Sequence, residues 1–426
     1  MNKLKKLVLV LFVFYGLSSF AQLGTSSPYS RFGLGDLQGN AFPVYNALGG
    51  GITALSSPNS INPSNPASYL FFKPNSFLFS TGGLHKTTSI QNSNAKQVAN
   101  NSSLSHLTAA FPIISKKLGA SIGMLPYSNM GYTLNARDND ENADIIYSGD
   151  GALNKVYFGV AWANRNGYDG LSVGINASYL FGGLNKRKKL DYDDETFFDS
   201  RSNSSINLKG YFYEFGIIYE KNLSDERVIS FGLTTNNNAS INAKRTNIVE
   251  TISESNEIVK DTASNVVEWG EVTLPKYIST GFTYRNGKKW LLVADYSMQN
   301  WADYTLLGKS DDLSNSMRIS GGLQYTPEFN SVNKYYKRMQ YRLGAAYGNT
   351  PLPSNLSLTR NDTQLKEMSV SFGFGIPVRK SRTKYDVSIT LGQRGTTDNN
   401  LLKEQFIKFG LSVSYNGIWF VKRKYD

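Results

Sequence analysis

Few side chains in this chain of 426 residues could do covalent or metal chemistry. It contains no cysteine and two histidines, His85 and His106. Without cysteine there is no disulfide, no thiolate nucleophile, no Cys-ligated zinc and no iron–sulfur cluster. The densest set of hard oxygen ligands is Asp191-Tyr192-Asp193-Asp194-Glu195. Such carboxylates could hold Ca²⁺, but the run lacks the glycine and closing glutamate of a Ca²⁺ loop and reads as a solvated acidic loop. Gly33-Leu34-Gly35-Asp36-Leu37-Gln38-Gly39 has the glycines of a phosphate-cradling turn, with the third misplaced and no strand and helix to flank it. The serines lack a nucleophile-elbow setting, and no carboxylate pair can be placed together for acid–base work. The sequence therefore assigns no catalytic residue, no metal and no cofactor.

The elements that would position any site are strands. Met368, Val370, Phe372, Phe374 and Ile376 alternate with Ser369, Ser371, Gly373 and Gly375. Tyr385, Val387, Ile389 and Leu391 alternate with Asp386, Ser388, Thr390 and Gly392, and Ile407 to Tyr415 repeats the pattern. A period of two places one set on each face of a strand. In a soluble sandwich the outer face carries Lys, Glu, Arg and Thr, yet here the polar set is mostly Gly, Ser, Asn and Thr. That suits the interior of a closed barrel whose apolar face meets lipid, with Tyr and Trp at the two interfaces. The 26 Tyr and 24 Phe, against only 18% charged residues, point the same way.

The alternation predicts an all-β fold, a transmembrane antiparallel β-barrel of about fourteen strands. Strands are expected near 76–86, 104–113, 118–127, 154–163, 171–182, 206–220 and 227–240, then near 275–286, 288–298, 316–326, 338–347, 366–375, 384–394 and 405–415. Short connections such as Ser115-Lys116-Lys117 and Arg285-Asn286-Gly287-Lys288 alternate with longer ones near 87–103, 128–153, 183–205, 241–274, 299–314, 349–365 and 395–404. Outer-membrane barrels alternate short periplasmic turns with long outward loops in this way. Acid gathers in the long loops (Asp138, Asp140, Glu141 and Asp144, then Asp191 to Asp199), and base gathers in the turns and in the tail 421–426. The net charge of +12 has no basic stripe or binding motif with it, so no nucleic acid is expected. His85 and His106 fall in or beside strands and read as lumen or rim residues; lipid hydrolysis would need one of them to meet a serine at one rim.

Lys3, Lys5 and Lys6, the apolar run Leu7 to Leu17 and Ser19-Phe20-Ala21 read as a cleaved secretory signal over 1–21. Residues 22–74 do not read as strands. They are rich in Gly, Ser, Asn and Pro, with Tyr29, Phe32, Phe42, Tyr45, Leu48, Ile52 and Leu55 interspersed. A barrel of this size has more interior than small inward side chains fill, so 22–74 is expected to fold as a plug in the lumen, with the barrel over 75–426.

Asn46-Ala47-Leu48-Gly49-Gly50-Gly51-Ile52-Thr53-Ala54-Leu55, followed by Ile61-Asn62-Pro63-Ser64-Asn65-Pro66-Ala67, resembles the N-terminal hatch of FadL-type outer-membrane transporters. The likeness continues at Leu274 to Arg285, at Trp290 with Ala294-Asp295-Tyr296 and Trp301, and at Tyr341 to Tyr347 with Pro351 and Pro353. It implies a 14-stranded barrel, a hatch whose motif is Asn65-Pro66-Ala67, and passage of hydrophobic molecules through a side opening at a kink in the third strand. The third predicted strand contains Leu125-Pro126-Tyr127, and a proline there lacks a ladder donor, so Pro126 marks that opening. Ser27 to Asp36 resembles the Bacteroidota branch of the family, in which Asp261-Thr262-Ala263 also matches a short O-glycosylation pattern and in which a relative serves protein secretion.

The leading expectation is a non-enzymatic outer-membrane channel for passive uptake of fatty-acid-like hydrophobic molecules, with outer-membrane lipid and a hydrophobic small molecule as partners. The alternative is a non-transporting accessory or scaffold barrel of a secretion or barrel-insertion complex, with the region 241–274 as its docking surface and other outer-membrane proteins as partners.

Overall fold

Where apolar residues alternate with small polar ones, the chain forms ladders. The structure, a computed structural model, describes residues 25–419 apart from 40–41, 141, 167–168, 195, 254–255, 332, 353–363, 380 and 399–400. The expected signal 1–21, Glu141, Glu195, Pro353 and the tail 421–426 lie outside the described residues. The strands are β1 (Ser76–Gln91), β2 (Lys96–Ile114), β3 (Leu118–Asp138), β4 (Ala143–Asn166), β5 (Asp169–Tyr192), β6 (Asp199–Asn222), β7 (Arg227–Asn236) and β8 (Ser240–Ile252). They continue as β9 (Val259–Thr273), β10 (Tyr277–Asn286), β11 (Trp290–Gln299), β12 (Ser316–Tyr325), β13 (Gln340–Asn349), β14 (Lys366–Pro377), β15 (Lys384–Arg394) and β16 (Lys403–Ile418).

All but β8 and β9 make a closed 14-strand antiparallel barrel, as the alternation predicts. Closure is made by β16 and β1, paired from Lys403↔Gln91 to Ile418↔Ser76. Parity sorts the faces. Phe372, Phe374, Phe409 and Leu411 are exposed on the outside, while Ser371, Asp386, Ser388 and Ser412 are buried on the inside. Closing the sheet pairs the first strand with the last, as a sheet that spans a bilayer requires.

The strands differ in length, and the difference corrects the expected loops. β7, β10, β11, β12 and β13 have 10 residues each, close to the roughly 9–11 that cross a bilayer. β4, β5 and β6 have 24 each, about 80 Å at roughly 3.3 Å per residue, so much of each stands outside the hydrocarbon. The spans near 128–153, 183–205 and 241–274 are therefore largely sheet, not loop. β8 and β9 are an antiparallel hairpin that continues β7 and β10, and β8 pairs on its other side with β6 from Asp199↔Ile252 to Lys209↔Asn242. Above the membrane neither face meets lipid, so stretches such as Arg201-Ser202-Asn203-Ser204-Ser205 carry no apolar stripe although their ladder is intact.

The continuation is interrupted at 237–239 and 274–276, where Pro275 cannot donate. Side chains bridge the break. Asn236 accepts from Tyr277 N at 2.7 Å and donates to Pro275 O at 3.2 Å, and Asn237 accepts from Tyr213 N at 2.7 Å.

Residues 25–74 pack against inward faces of strands all round the barrel. They contain short helical turns at Pro28–Arg31, Pro43–Asn46 and Pro66–Phe71 and a two-residue strand, Asp36–Leu37. Tyr45, Leu48, Ile52, Tyr69 and Leu70 form a buried cluster with Leu78, Tyr157 and Val293 of the wall. Backbone meets backbone here. A Cβ on Gly119 would lie 2.0 Å from Tyr69 O, one on Gly232 2.2 Å from Thr53 O, and one on Gly344 2.1 Å from Gly49 N. Glycine on these inward positions makes room for the segment.

Gly344→Leu is expected to unseat residues 25–74 while the outer ladder still closes. Protease cleavage of the segment should accelerate, with the barrel still heat-modifiable in gel electrophoresis. Gly39→Ala, whose Cβ meets nothing within 4 Å, should behave as wild type.

Candidate functional site

A barrel acts through its lumen and its wall, and both are shaped by residues 25–74. Asn65 is fully buried. Its amide donates to Thr53 O at 2.6 Å and to Ile217 O of β6 at 3.2 Å, and its carbonyl accepts from Ala67 N at 3.0 Å. It is thus the N-cap of the turn Pro66–Phe71, with Pro66 at the first position, where no donor is needed. Ala67 lies against Gly174 of β5 and Pro66 against Gly216 of β6, so this motif seats the turn on two glycines of the wall.

Charged groups hold the rest of the segment. The Asp295 carboxylate of β11 accepts from Ile52 N and Thr53 N, both at 2.7 Å, and Thr53 Oγ1 lies 2.7 Å from Ser279 Oγ. Arg394 of β15 reaches Asp36 at 2.8 Å and Glu404 of β16 at 2.6 Å, and its guanidinium also donates to Ser27 Oγ. Asp386 is fully buried, paired with Arg342 at 2.7 Å and with Lys384 at 3.2 Å, and Lys384 also contacts Ser60 Oγ at 3.2 Å. Charges out of water need such partners, and removing one partner strands the other. Parity points Arg342, Asp386 and Lys408 inward, but nothing local in the sequence pairs Arg394 with Asp36, 358 positions away.

The wall is not laddered throughout. β2 and β3 pair from Ile114↔Leu118 only as far as Leu107↔Met124. Beyond that point β2 stays paired with β1 and β3 with β4, leaving a seam between Lys96–His106 of β2 and Leu125–Asp138 of β3. Pro126 lies at the start of the seam, and a register shift between Pro126 and Ser128 bulges Tyr127 out of the β4 ladder. The freed edge of β3 is met from inside. Asp36 pairs with Asn129 and Leu37 with Ser128, Gln38 N donates to Tyr127 O at 2.9 Å, and Ser30 Oγ donates to Gly131 O and accepts from Gly131 N at 3.0 Å.

The interior is largely filled. On the side of the long strands, Leu34, Trp301, Tyr304, Leu306 and Leu313 pack with Met130, Leu180, Ile241 and Val272 in one buried apolar cluster. A cavity of about 420 Å³ remains beside residues 35–50, and its walls include Lys86, Lys408, Arg318, Arg394, Asp36 and Glu367.

The remaining candidates sort simply. His106 is a lumen residue. Its Nε2 is 2.8 Å from Ser80 Oγ, its Nδ1 2.7 Å from Ser105 Oγ, and its ring stacks on Phe42 at 3.7 Å. Serine and histidine do meet, but fully buried and not at a rim. His85 is exposed and contacts Ser102 Oγ at 2.9 Å. In the acidic cluster Arg137 binds Asp144 and Asp193, and Lys189 binds Asp191 and Asp199. The hydrogen bond from Arg137 keeps the Asp193 carboxyl below its ordinary range. Among the described residues no group of three or more His, Asp or Glu is arranged to hold a metal ion.

A family model described as BamG matches residues 3–426 of the chain. The chain belongs to the BamG family. No curated protein matches it. Several solved structures share the fold of this BamG-family member at low identity. The Pseudomonas putida toluene transporter TodX aligns with a TM-score of 0.60 and 17% identity, over 89% of this chain and 98% of its own. The CymD monoaromatic hydrocarbon channel aligns at 0.56 and 14%, over 91% and 99%, and a Pseudomonas aeruginosa FadL homologue at 0.56 and 12%, over 89% and 98%. The architecture is thus that of FadL-type outer-membrane barrels, the fold that the resemblance of the N-terminal motifs implied.

Asn65→Ala removes the cap and two buried donors, a loss of about 1–2 kcal/mol that should lower the thermal midpoint. Asp295→Ala leaves two buried N–H groups without an acceptor and should cost more, about 2–4 kcal/mol. Thermal melts in detergent of both variants check the order.

Proposed function

We propose that the protein is a closed outer-membrane barrel that serves as an accessory or scaffold subunit of a larger outer-membrane assembly, with residues 22–74 as its permanent plug and other outer-membrane proteins as partners. The observation that carries this reading is the composition of the interior. Its apolar part is occupied by the protein's own Trp301, Tyr304, Leu306 and Leu313, and the cavity beside residues 35–50 mixes charged side chains, Lys86, Lys408, Arg394 and Glu367 among them, with apolar ones such as Leu84 and Phe406. A greasy solute entering it would displace water from buried charged groups, which offsets part of what it gains by leaving water. Membership of the BamG family supports the reading, as does the tall wall of β4, β5, β6, β8 and β9, which offers surface well outside the membrane.

One observation favours a second reading, a conduit for hydrophobic small molecules. The seam at Pro126 is a break where such a molecule could leave the lumen for hydrocarbon, and barrels of the same fold include hydrocarbon transporters and channels. On this reading Asn65, Pro66 and Ala67 seat a movable hatch.

Two measurements separate the readings. Purified gently from its outer membrane, the protein should migrate with stoichiometric partners, and a single-chain particle would overturn the platform. In proteoliposomes it should admit a long-chain fatty acid no faster than protein-free vesicles do. Uptake above that background, slowed in Pro126→Val, would establish the conduit instead.

A further inference from the structure

We infer that the free edge of β9 receives an extended segment of a partner protein, which adds to the tall wall as its next strand. This inference deepens the platform reading and rests on it.

β9 is laddered to β8 along its whole length, from Val259↔Ile252 to Thr273↔Ser240. On its other side only Val272 and Thr273 are paired, with Leu306 and Thr305, and Leu307 N donates to Glu271 O at 2.9 Å. Among the described residues no strand lies beside 259–270. An open edge presents a row of unpaired N–H and C=O groups, and proteins ordinarily blunt such edges with bulges, prolines and lysines. The tip of β9 is blunted in that manner. Register shifts fall between Val259 and Asp261 and between Thr262 and Ser264, and Lys260 lies between Val259 and Asp261.

From Ser264 to Glu271 those devices stop. The register with β8 is unbroken, and Ser264-Asn265-Val266-Val267-Glu268-Trp269-Gly270-Glu271 contains no proline and no lysine. Glu271 O is taken by Leu307, which leaves Ser264 to Trp269 as a straight open edge of about 20 Å, long enough for a bound strand. Trp269 is 72% exposed, and Val266 and Val267 are 47% exposed each. Lipid does not explain them. Trp269 lies about eight residues, or ~26 Å of strand, beyond the outer end of membrane-crossing β10. An exposed tryptophan there, with Lys244 Nζ 5.1 Å from its ring centre, is a side chain of the kind that anchors interfaces.

Charge narrows the occupant. Glu268 is already held by Arg245 at 2.6 Å, whereas Glu271 has no basic partner among the described residues. The incoming strand is therefore one that sets aliphatic or aromatic side chains against Val267 and Trp269 and a Lys or Arg within reach of the Glu271 carboxylate at the end of that edge. Main-chain bonds supply the seat, and these side chains supply the choice of partner.

The test uses the full chain taken from its outer membrane in mild detergent, compared with the same protein stripped to a single chain in harsh detergent. Native mass and amide exchange are read for wild type and for the double variant Val267→Lys, Trp269→Lys. In the mild extract, amides of 264–271 should exchange at least about tenfold more slowly than in the stripped chain, and the variant should lose both that protection and the partner mass while staying heat-modifiable. A heavy particle whose 264–271 amides exchange as in the stripped chain overturns the edge and leaves the platform standing. A particle of two chains with 264–271 protected assigns the edge to a second copy and overturns the partner. A single-chain particle removes the platform itself.

Discussion

Hydrocarbon offers no hydrogen-bond partner, so a chain that crosses it as sheet must satisfy every peptide group with a neighbouring strand. Everything else in this structure follows from that demand or from the places where it lapses. Within the membrane the ladder closes on itself through β16 and β1. Closure creates an interior, and the described residues of 25–74 pack against its inward glycines and apolar side chains. Where the ladder between β2 and β3 stops, residues 36–38 take up part of the freed edge from inside, and outside the membrane, where water can serve as partner, the sheet opens along the outer edge of β9.

The interior is held by two kinds of contact with different tolerances. Where the segment meets glycine, backbone touches backbone and any added side chain must displace it. Where it meets charge, the contact is conditional. The pairs Arg394–Asp36 and Arg394–Glu404 and the triad Arg342–Asp386–Lys384 are stable only with each member present. Glycine and charge contacts together reach the segment from strands on many sides of the barrel.

Hydrocarbon made the barrel legible in the sequence. Strand 384–394 coincides with β15, and most other strands begin or end within a few residues of their predicted limits because one face had to be apolar. The same reasoning fails for β4, β5, β6, β8 and β9 above the membrane, where runs such as Lys186 to Lys189 sit in sound ladder without any periodic signal. Of the candidate site, Pro126 was legible because proline has no donor, and the inward parity of Arg342 and Asp386 followed from their apolar neighbours. The partners were not legible. Ser27 and Glu404, or Asp295 and Thr53, are joined only by the closure of the barrel, and no local pattern encodes that.

That closure bears on how the molecule comes to be folded. The hydroxyl of Ser27 bonds the carboxylate of Glu404, which is separated from it by 377 positions, and the first barrel strand is hydrogen-bonded to the last. Contacts of such sequence separation charge a large loop-closure entropy before they return anything. Residues 25–74 therefore cannot meet all their final neighbours until the C-terminal strands exist, since Asp36 and Ser27 bond Arg394 and Glu404. Folding of this chain should be slow, late and all-or-none at its seam, so that time spent incomplete, more than final stability, sets its need for assistance.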